Sequence, residues 1–139
     1  MIVLFTTLLG FIFTDSTCSV VVLDSFDIST IEGLSQDNTD RAQQILSENN
    51  PNSLKGDWSV GLVGTDKRFV PYNGALSSDQ LTWLEETLSQ ATEQGETAIV
   101  LCHVPLHPLA ANNKNLLWNY QVSLFLSLSL WLLYMVQET

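Results

Sequence analysis

The two histidines of the chain are the residues whose type and spacing most suggest metal chemistry. His103 and His107 lie four residues apart in the segment Cys102–Pro108. That spacing is typical of zinc motifs on a helix, but Pro105 and Pro108 exclude a helix here, because proline breaks a helix interior. In an extended chain the two rings would lie roughly 13 Å apart, at about 3.3 Å per residue. We therefore expect the histidines not to share one metal ion unless the prolines turn the chain.

His103 directly follows an apolar run and precedes a proline-containing loop, which is a suitable position for a metal ligand. The alternative is a structural residue whose ring is hydrogen-bonded, and the same two roles are open for His107. A ligand requires a ring near acidic side chains or an open cleft. A ring of His103 buried against carbon would contradict the metal role.

Three further residues could take part in chemistry: Cys102 lies within this segment, and Asp24 and Asp27 lie at the end of another apolar run. Asp24 ends another apolar run, and it and Asp27 could bind a cation, although turns and helix caps use the same residue type. Cys102 adjoins His103, but neighbouring residues in a strand point to opposite faces. The two side chains therefore do not form a nucleophile–base pair, and we expect Cys102 to be a buried thiol.

Other chemical motifs are weak or absent in the sequence. It contains no Gly-x-Ser-x-Gly nucleophile elbow and no phosphate-binding glycine loop. The pair Gly56-Asp57 is typical of a turn. Trp58 and Trp83 are expected to anchor a loop or the core rather than to form a platform for a ligand.

Two apolar runs and a helix between them provide the first half of a scaffold for these residues. Ser19–Asp24 and Thr97–Cys102 are rich in β-branched residues and predict strands covered on both faces. The stretch Asp37–Asn50 predicts a helix. It ends before Pro51, because the residue preceding proline avoids the helical conformation.

A second helix has clear signals at both ends. Ser77 and Gln80 form a Ser-x-x-Gln capping pattern, which satisfies N–H groups at a helix start, and Gly95 is a natural C-terminal cap. Apolar residues recur between them at helical spacing and predict one buried stripe. The stripe consists of Leu81, Leu84, Leu88 and Ala91.

This order of strand, helices and strand predicts an α/β fold. If the two strands are parallel, a right-handed crossover places the helices on one face of the sheet. Functional residues in such sheets gather at the carboxyl ends of the strands. Asp24 and His103 occupy those two positions.

Composition excludes several classes of protein. The 139 residues carry a net charge of −10 with only five basic residues, whereas nucleic-acid binding requires clustered lysine and arginine. A hydrophobic content of 45% is too high for a disordered chain. Two cysteines do not make a disulfide framework.

Charge is confined to the middle of the chain, because all basic residues and every acid except Glu138 lie between Asp15 and Lys114. The apolar segment Met1–Phe13 is either the apolar part of a signal peptide or a strand. The run Leu116–Val136 could span a membrane or form a core element, although its uninterrupted apolar part is shorter than the roughly 20 residues of a membrane helix. Either apolar end could therefore associate with a membrane.

Several separated segments, in order, resemble one protein family. The chain is similar to the manganese-dependent ADP-ribose/CDP-alcohol diphosphatases, which belong to the calcineurin-like metallophosphoesterases. The resemblance runs from about Ser19 to Tyr120. It is carried by Val21–Asp27, Glu48–Asn52, Arg68–Leu84, Val100–Pro108 and Leu117–Tyr120.

The resemblance implies an α/β/β/α sandwich with a dinuclear manganese centre at the strand ends. It also implies a substrate of the class of nucleoside diphosphate-linked small molecules, such as ADP-ribose, and a cytoplasmic location, with a membrane or secreted location as the alternative. His103 matches the family's single metal-binding histidine after a strand. It is the one metal ligand that we predict, and no catalytic residue is predicted.

The other ligand motifs of that family are missing from the sequence. Asp-x-His, Gly-Asn-His and Gly-His-x-His do not occur, and Gly56-Asp57 lacks the second acid of the Gly-Asp-x-x-Asp motif. One histidine cannot hold two ions, so we expect this chain to be inactive by itself. Our hypothesis is a truncated or mis-spliced product with an apolar segment at 1–18, a partial metallophosphoesterase domain at 19–120 and an apolar tail at 121–139. The alternative function is that of a small membrane-associated or secreted protein without enzymatic activity.

Overall fold

The structure is a computed structural model that describes residues 3–7, 10–14, 18–31, 35–52, 57–110 and 112–122, the first two ranges by their backbone alone. Most of the predicted apolar tail, residues 123–139, lies outside this part of the chain, as does Gly56.

Six strands and two helices make up the described fold. In chain order they are β1 (Val3–Thr7), β2 (Gly10–Thr14), β3 (Cys18–Leu23), β4 (Ile28–Ser29), α1 (Gln36–Asn49), β5 (Gly74–Ala75), α2 (Ser78–Glu93) and β6 (Thr97–Cys102). A short 3-10 helix, Gly64–Arg68, lies between α1 and β5.

The larger sheet has the strand order β1-β2-β3-β6. Strand β2 is antiparallel to both β1 and β3. Strands β3 and β6 are parallel, with Leu23 paired to Cys102 at their carboxyl ends. The two predicted strands and the α/β class are confirmed. The segment 1–18 contributes β1 and β2 to the sheet, while the boundaries at 18 and 120 stay predictions.

Helix α2 covers one face of this sheet through the predicted stripe. Leu84 and Leu88 are buried in one cluster with Val21 and Leu23 of β3 and Val100 of β6. The helix starts with the Ser77 hydroxyl accepting the N–H of Gln80 at 3.2 Å. It ends with Gly95 at φ 70°, where the N–H of Glu96 reaches the carbonyl of Ala91 and the N–H of Gly95 reaches that of Thr92. These two bonds form a Schellman motif, which satisfies the carbonyls at a helix end.

Helix α1 packs on a different surface from α2, and its position on the same face of the main sheet stays a prediction. Its buried residues Ala42 and Leu46 join a second cluster with Ile28 of β4 and Ala75 of β5, and Phe69 and Trp118 complete this cluster. The reason is the small antiparallel sheet β4–β5, which the sequence did not predict and which provides α1 with a surface of its own.

Gly74 allows this small sheet to form. A Cβ atom at this position would lie 2.2 Å from the carbonyl oxygen of Ser25 and 2.9 Å from that of Ile28. The carbonyl of Gly74 also accepts the N–H of Trp118 at 2.9 Å. The absence of a side chain therefore brings the loop after β3, strand β5 and the segment around Trp118 into contact.

A buried carboxylate fixes the loop that follows β3. Asp27 is 1% exposed, and its Oδ1 accepts Nδ2 of Asn38, at the start of α1, at 2.8 Å. Its Oδ2 accepts the backbone N–H of Ser77 and Nε2 of Gln80, both at 3.0 Å. Three donors from two helices thus replace the water that an ionised carboxylate would otherwise bind. The positive end of the α2 macrodipole adds to this stabilisation.

Gln80 extends the same network to Asp24. Its Oε1 accepts the N–H of Asp24 at 2.8 Å, and its Nε2 donates to the Asp24 carbonyl at 3.0 Å. In a capping box the glutamine would bind the N–H of the cap residue, but here Asp27 takes that N–H. Gln80, which is completely buried, instead fastens α2 to the carboxyl end of β3.

We expect Gly74→Ala to destabilise the chain by about 3 kcal/mol, because the new methyl group overlaps two backbone carbonyls that cannot rotate away. Gly61→Ala is the control, since a Cβ there meets nothing within 4 Å and costs only the strain of φ 76°, about 1 kcal/mol. Urea unfolding followed by tryptophan fluorescence measures both. Equal losses would contradict the close approach at Gly74.

We expect Asp27→Asn to cost about 3 kcal/mol, because an amide group would face donors that need an acceptor. Asp79→Asn is the matched control, since Asp79 is an exposed acid in the first turn of the same helix. It should cost less than about 1 kcal/mol through the helix dipole alone. The same unfolding experiment applies, and a small loss at Asp27 would contradict its role in holding the loop.

Candidate metal centre

The parallel pairing of β3 and β6 brings Asp24 and His103 to the same edge of the sheet. Each directly follows one residue of the last ladder pair, Leu23 and Cys102. Neighbouring strands lie about 4.8 Å apart, so the two residues are adjacent across the edge. The sequence predicted this placement, and the structure shows it.

The ring of His103 is exposed and lies beside one aromatic neighbour. Its centroid is 5.8 Å from that of the Phe26 ring, and the planes are tilted by 42°. The residue is thus not buried against carbon, which would have contradicted the metal role. Ligation by His103 itself stays a prediction.

Asp24 has a local structural role in addition to its position. Its Oδ1 accepts the N–H of Phe26 at 2.9 Å. This is an Asx turn, in which an aspartate side chain binds the backbone N–H two residues later in the chain. The residue is half-buried. Asp27, the second acid considered as a cation ligand, is instead occupied by the three hydrogen bonds from Asn38, Ser77 and Gln80.

Cys102 lies just inside the same edge and is a free thiol. Burial raises the pKa of the Cys102 thiol to about 12, and the nearby charge of Asp24 adds to the rise. Hydrogen bonds with the backbone of Val104 and the hydroxyl of Ser25 oppose it. A thiol with so high a pKa stays protonated at neutral pH, so it is neither a nucleophile nor a strong metal ligand there.

His107 has a different environment. Its Nδ1 accepts the N–H of Leu109 at 3.1 Å, and its carbonyl accepts the N–H of Ala110 at 2.9 Å. The residue is half-buried, and its two hydrogen bonds close a turn that includes Pro108. These bonds support the structural role for His107 rather than the metal role.

The residues at this edge are too few to hold a dinuclear metal centre. Within the described part of the chain, no group of three or more histidine, cysteine, aspartate or glutamate side chains is arranged to bind a metal ion. His103 offers one imidazole and Asp24 one carboxylate, whereas two ions require several ligands each.

Sequence reasoning missed the residues that hold this edge in place. Gln80 was noticed only as part of a helix cap, although its side chain binds Asp24 and Asp27. A polar residue at a buried position of an apolar stripe is the signal that could have indicated such a role.

Comparison with known proteins identifies relatives of the chain. The chain is 44% identical over 103 residues to a manganese-dependent ADP-ribose/CDP-alcohol diphosphatase of Arabidopsis thaliana, a match covering 73% of this chain and 32% of the relative. It is 41% identical over 102 residues to the protein of the same name from Oryza sativa subsp. japonica, covering 72% and 31%. The human protein of that name is 34% identical over 106 residues, covering 75% and 30%. No protein-family model matches the chain.

The fold is also similar to that of a solved structure. The structure superposes on the crystal structure of a dimetal phosphatase from Danio rerio with a TM-score of 0.80 and 28% sequence identity. The match covers 88% of this chain and 40% of that chain.

The chain spans only about 30% of the length of the curated relatives. Sequence and fold therefore relate it to one part of the manganese-dependent ADP-ribose/CDP-alcohol diphosphatases, and give it part of a dimetal phosphatase fold.

Proposed function

We propose that residues 19–120 form one part of a manganese-dependent phosphoric-anhydride hydrolase acting on nucleoside diphosphate-linked small molecules, and that His103 is a metal ligand in the complete site. The observation that carries this is the exposed His103 ring at the carboxyl end of β6, adjacent to Asp24 after β3. The names of the relatives supply the metal and the substrate class.

The 139-residue chain by itself is expected to show no turnover of ADP-ribose. Hydrolysis in a two-metal site requires both the attacking and the leaving oxygen to be held, which needs a full set of ligands around each ion. The sequence lacks most of the ligand motifs, and the described residues form no metal-binding group. Activity thus requires ligands that these residues do not supply.

A chimera tests this directly. Residues 19–120 replace the matching segment of the Arabidopsis relative, to which they are 44% identical. The purified chimera, loaded with manganese, should hydrolyse ADP-ribose. His103→Ala should lower kcat/KM by at least about 100-fold, more than loss of a residue that only orients a ligand.

His107→Ala is the matched control in the chimera, because that ring only closes a turn. It should leave kcat/KM close to that of the parent chimera. An active chimera that tolerates His103→Ala would overturn the proposed ligand. Turnover by the 139-residue chain alone, abolished by His103→Ala, would overturn the view that its site is incomplete.

A cytoplasmic location belongs to the same proposal, since the family resemblance implies it. Among the described residues, none of the helices is both long and apolar enough to cross a bilayer. Fractionation of cells that express the chain should recover it without membranes. Retention in the membrane pellet after carbonate extraction would favour the membrane-associated alternative.

A further inference from the structure

The ring of Phe26, in the loop that follows β3, contacts the ring of His103, which follows β6. The two centroids lie 5.8 Å apart with the planes tilted by 42°, and aromatic rings attract each other at centroid distances of about 4.5–7 Å. His103 is exposed, whereas Phe26 is half-buried and packs against the core cluster that contains Leu84 and Val100. The anchored ring of Phe26 therefore limits the rotation of the exposed imidazole.

The backbone that carries Phe26 is fixed by several contacts. Its N–H donates to Oδ1 of Asp24 at 2.9 Å, and the N–H of Asp27 donates to the Asp24 carbonyl at 3.4 Å. Gln80 in turn binds both backbone groups of Asp24. Gly74 lies so close that a Cβ atom at its position would be 3.3 Å from the Cα atom of Phe26. The loop is thus held in one conformation from three directions.

The backbone of His103 is also fixed, so the orientation of its ring depends on the side chain. Cys102 pairs with Leu23 at the end of β6, and Val104 is 5% exposed in the same core cluster. Most metal-binding histidines are oriented by a hydrogen bond of their second ring nitrogen. In the part of the chain that the structure describes, the ring of His103 is contacted by the Phe26 ring in place of such a bond.

We propose that Phe26 is a positioning residue, which holds the imidazole of His103 in the orientation in which the ring binds a metal ion. This inference rests on the proposed function, in which His103 is a ligand. A ring that is oriented in advance loses less rotational freedom on binding, and for one side chain this corresponds to about fivefold in affinity. Asp24 contributes through its side-chain oxygen, which forms the turn that carries Phe26.

NMR of the metal-free 139-residue chain tests the orientation of the ring. Three-bond coupling constants should show one dominant side-chain rotamer of His103, and Phe26→Tyr should preserve it. Phe26→Leu keeps an apolar side chain but removes the ring, so the couplings should become averaged over several rotamers. Trp83→Leu is the control, because Trp83 packs against the same cluster from α2, and it should leave the His103 couplings unchanged. Thermal melting confirms that each variant is folded.

Two variants of Asp24 separate its turn from its charge. Asp24→Asn keeps a side-chain oxygen that accepts the N–H of Phe26, since asparagine forms the same turn, and it should preserve the His103 rotamer. Asp24→Ala removes this acceptor and should give averaged couplings, as Phe26→Leu does. Parent couplings in folded Asp24→Ala would contradict the role of the turn.

Titration of the same variants with Mn²⁺ tests the consequence for binding. Phe26→Leu should require about fivefold more Mn²⁺ than the parent for equal broadening of the His103 signals, whereas Phe26→Tyr and Trp83→Leu should stay within about twofold. The inference alone is overturned if His103 broadens before His107 in the parent but folded Phe26→Leu keeps the parent couplings or the parent Mn²⁺ requirement, or if Trp83→Leu has the same effect. If His103 does not broaden before His107 in the parent, the proposed ligand fails as well.

Discussion

The hydrogen-bond network of Asp27 and Gln80 is the constraint on which the rest of the structure depends. A carboxylate that is 1% exposed is stable only because three donors, from α1, from α2 and from the residue that caps α2, surround it. Gln80 connects this carboxylate to both backbone groups of Asp24. The network thus sets where the chain leaves β3, and with it which side chain lies next to His103.

The sheet itself has one well-covered face and one that is less covered. On the face towards α2, Val21, Leu23 and Val100 are buried. On the opposite face, Val20 and Val22 of β3 and Ile99 and Leu101 of β6 are only half-buried. This uneven burial, together with a match to 40% of a dimetal phosphatase chain, fits part of a layered fold whose sheet normally has both faces covered.

The sequence was sufficient for elements whose signals are local. Apolar runs predict the strands that end just before Asp24 and His103, and capping signals predict the helix from Ser77 to Gly95. The parallel crossover then predicts that Asp24 and His103 lie at the same edge of the sheet. Short-range patterns predict these well because burial of a continuous apolar stripe decides them.

Features that depend on contacts between distant segments could not be predicted in this way. Gly74 is required because the carbonyl of Ser25 approaches it, which no local pattern reveals. The Ser77–Gln80 pattern predicts a cap, whereas the Gln80 side chain binds the backbone of Asp24, just after β3. The sheet β4–β5 and the packing of α1 on it depend on the close approach of Gly74 to Ser25.

The central claim is our proposal that His103, which lies beside Asp24 at this edge, is a metal ligand of the complete site. Titration of the 139-residue chain with Mn²⁺, followed by NMR of the two histidine rings, tests it most directly, because the paramagnetic ion broadens nearby signals. We predict that the His103 signals broaden at lower Mn²⁺ concentrations than those of His107, and that Asp24→Asn reduces this preference. Equal broadening of both rings, or earlier broadening of His107, would contradict the account.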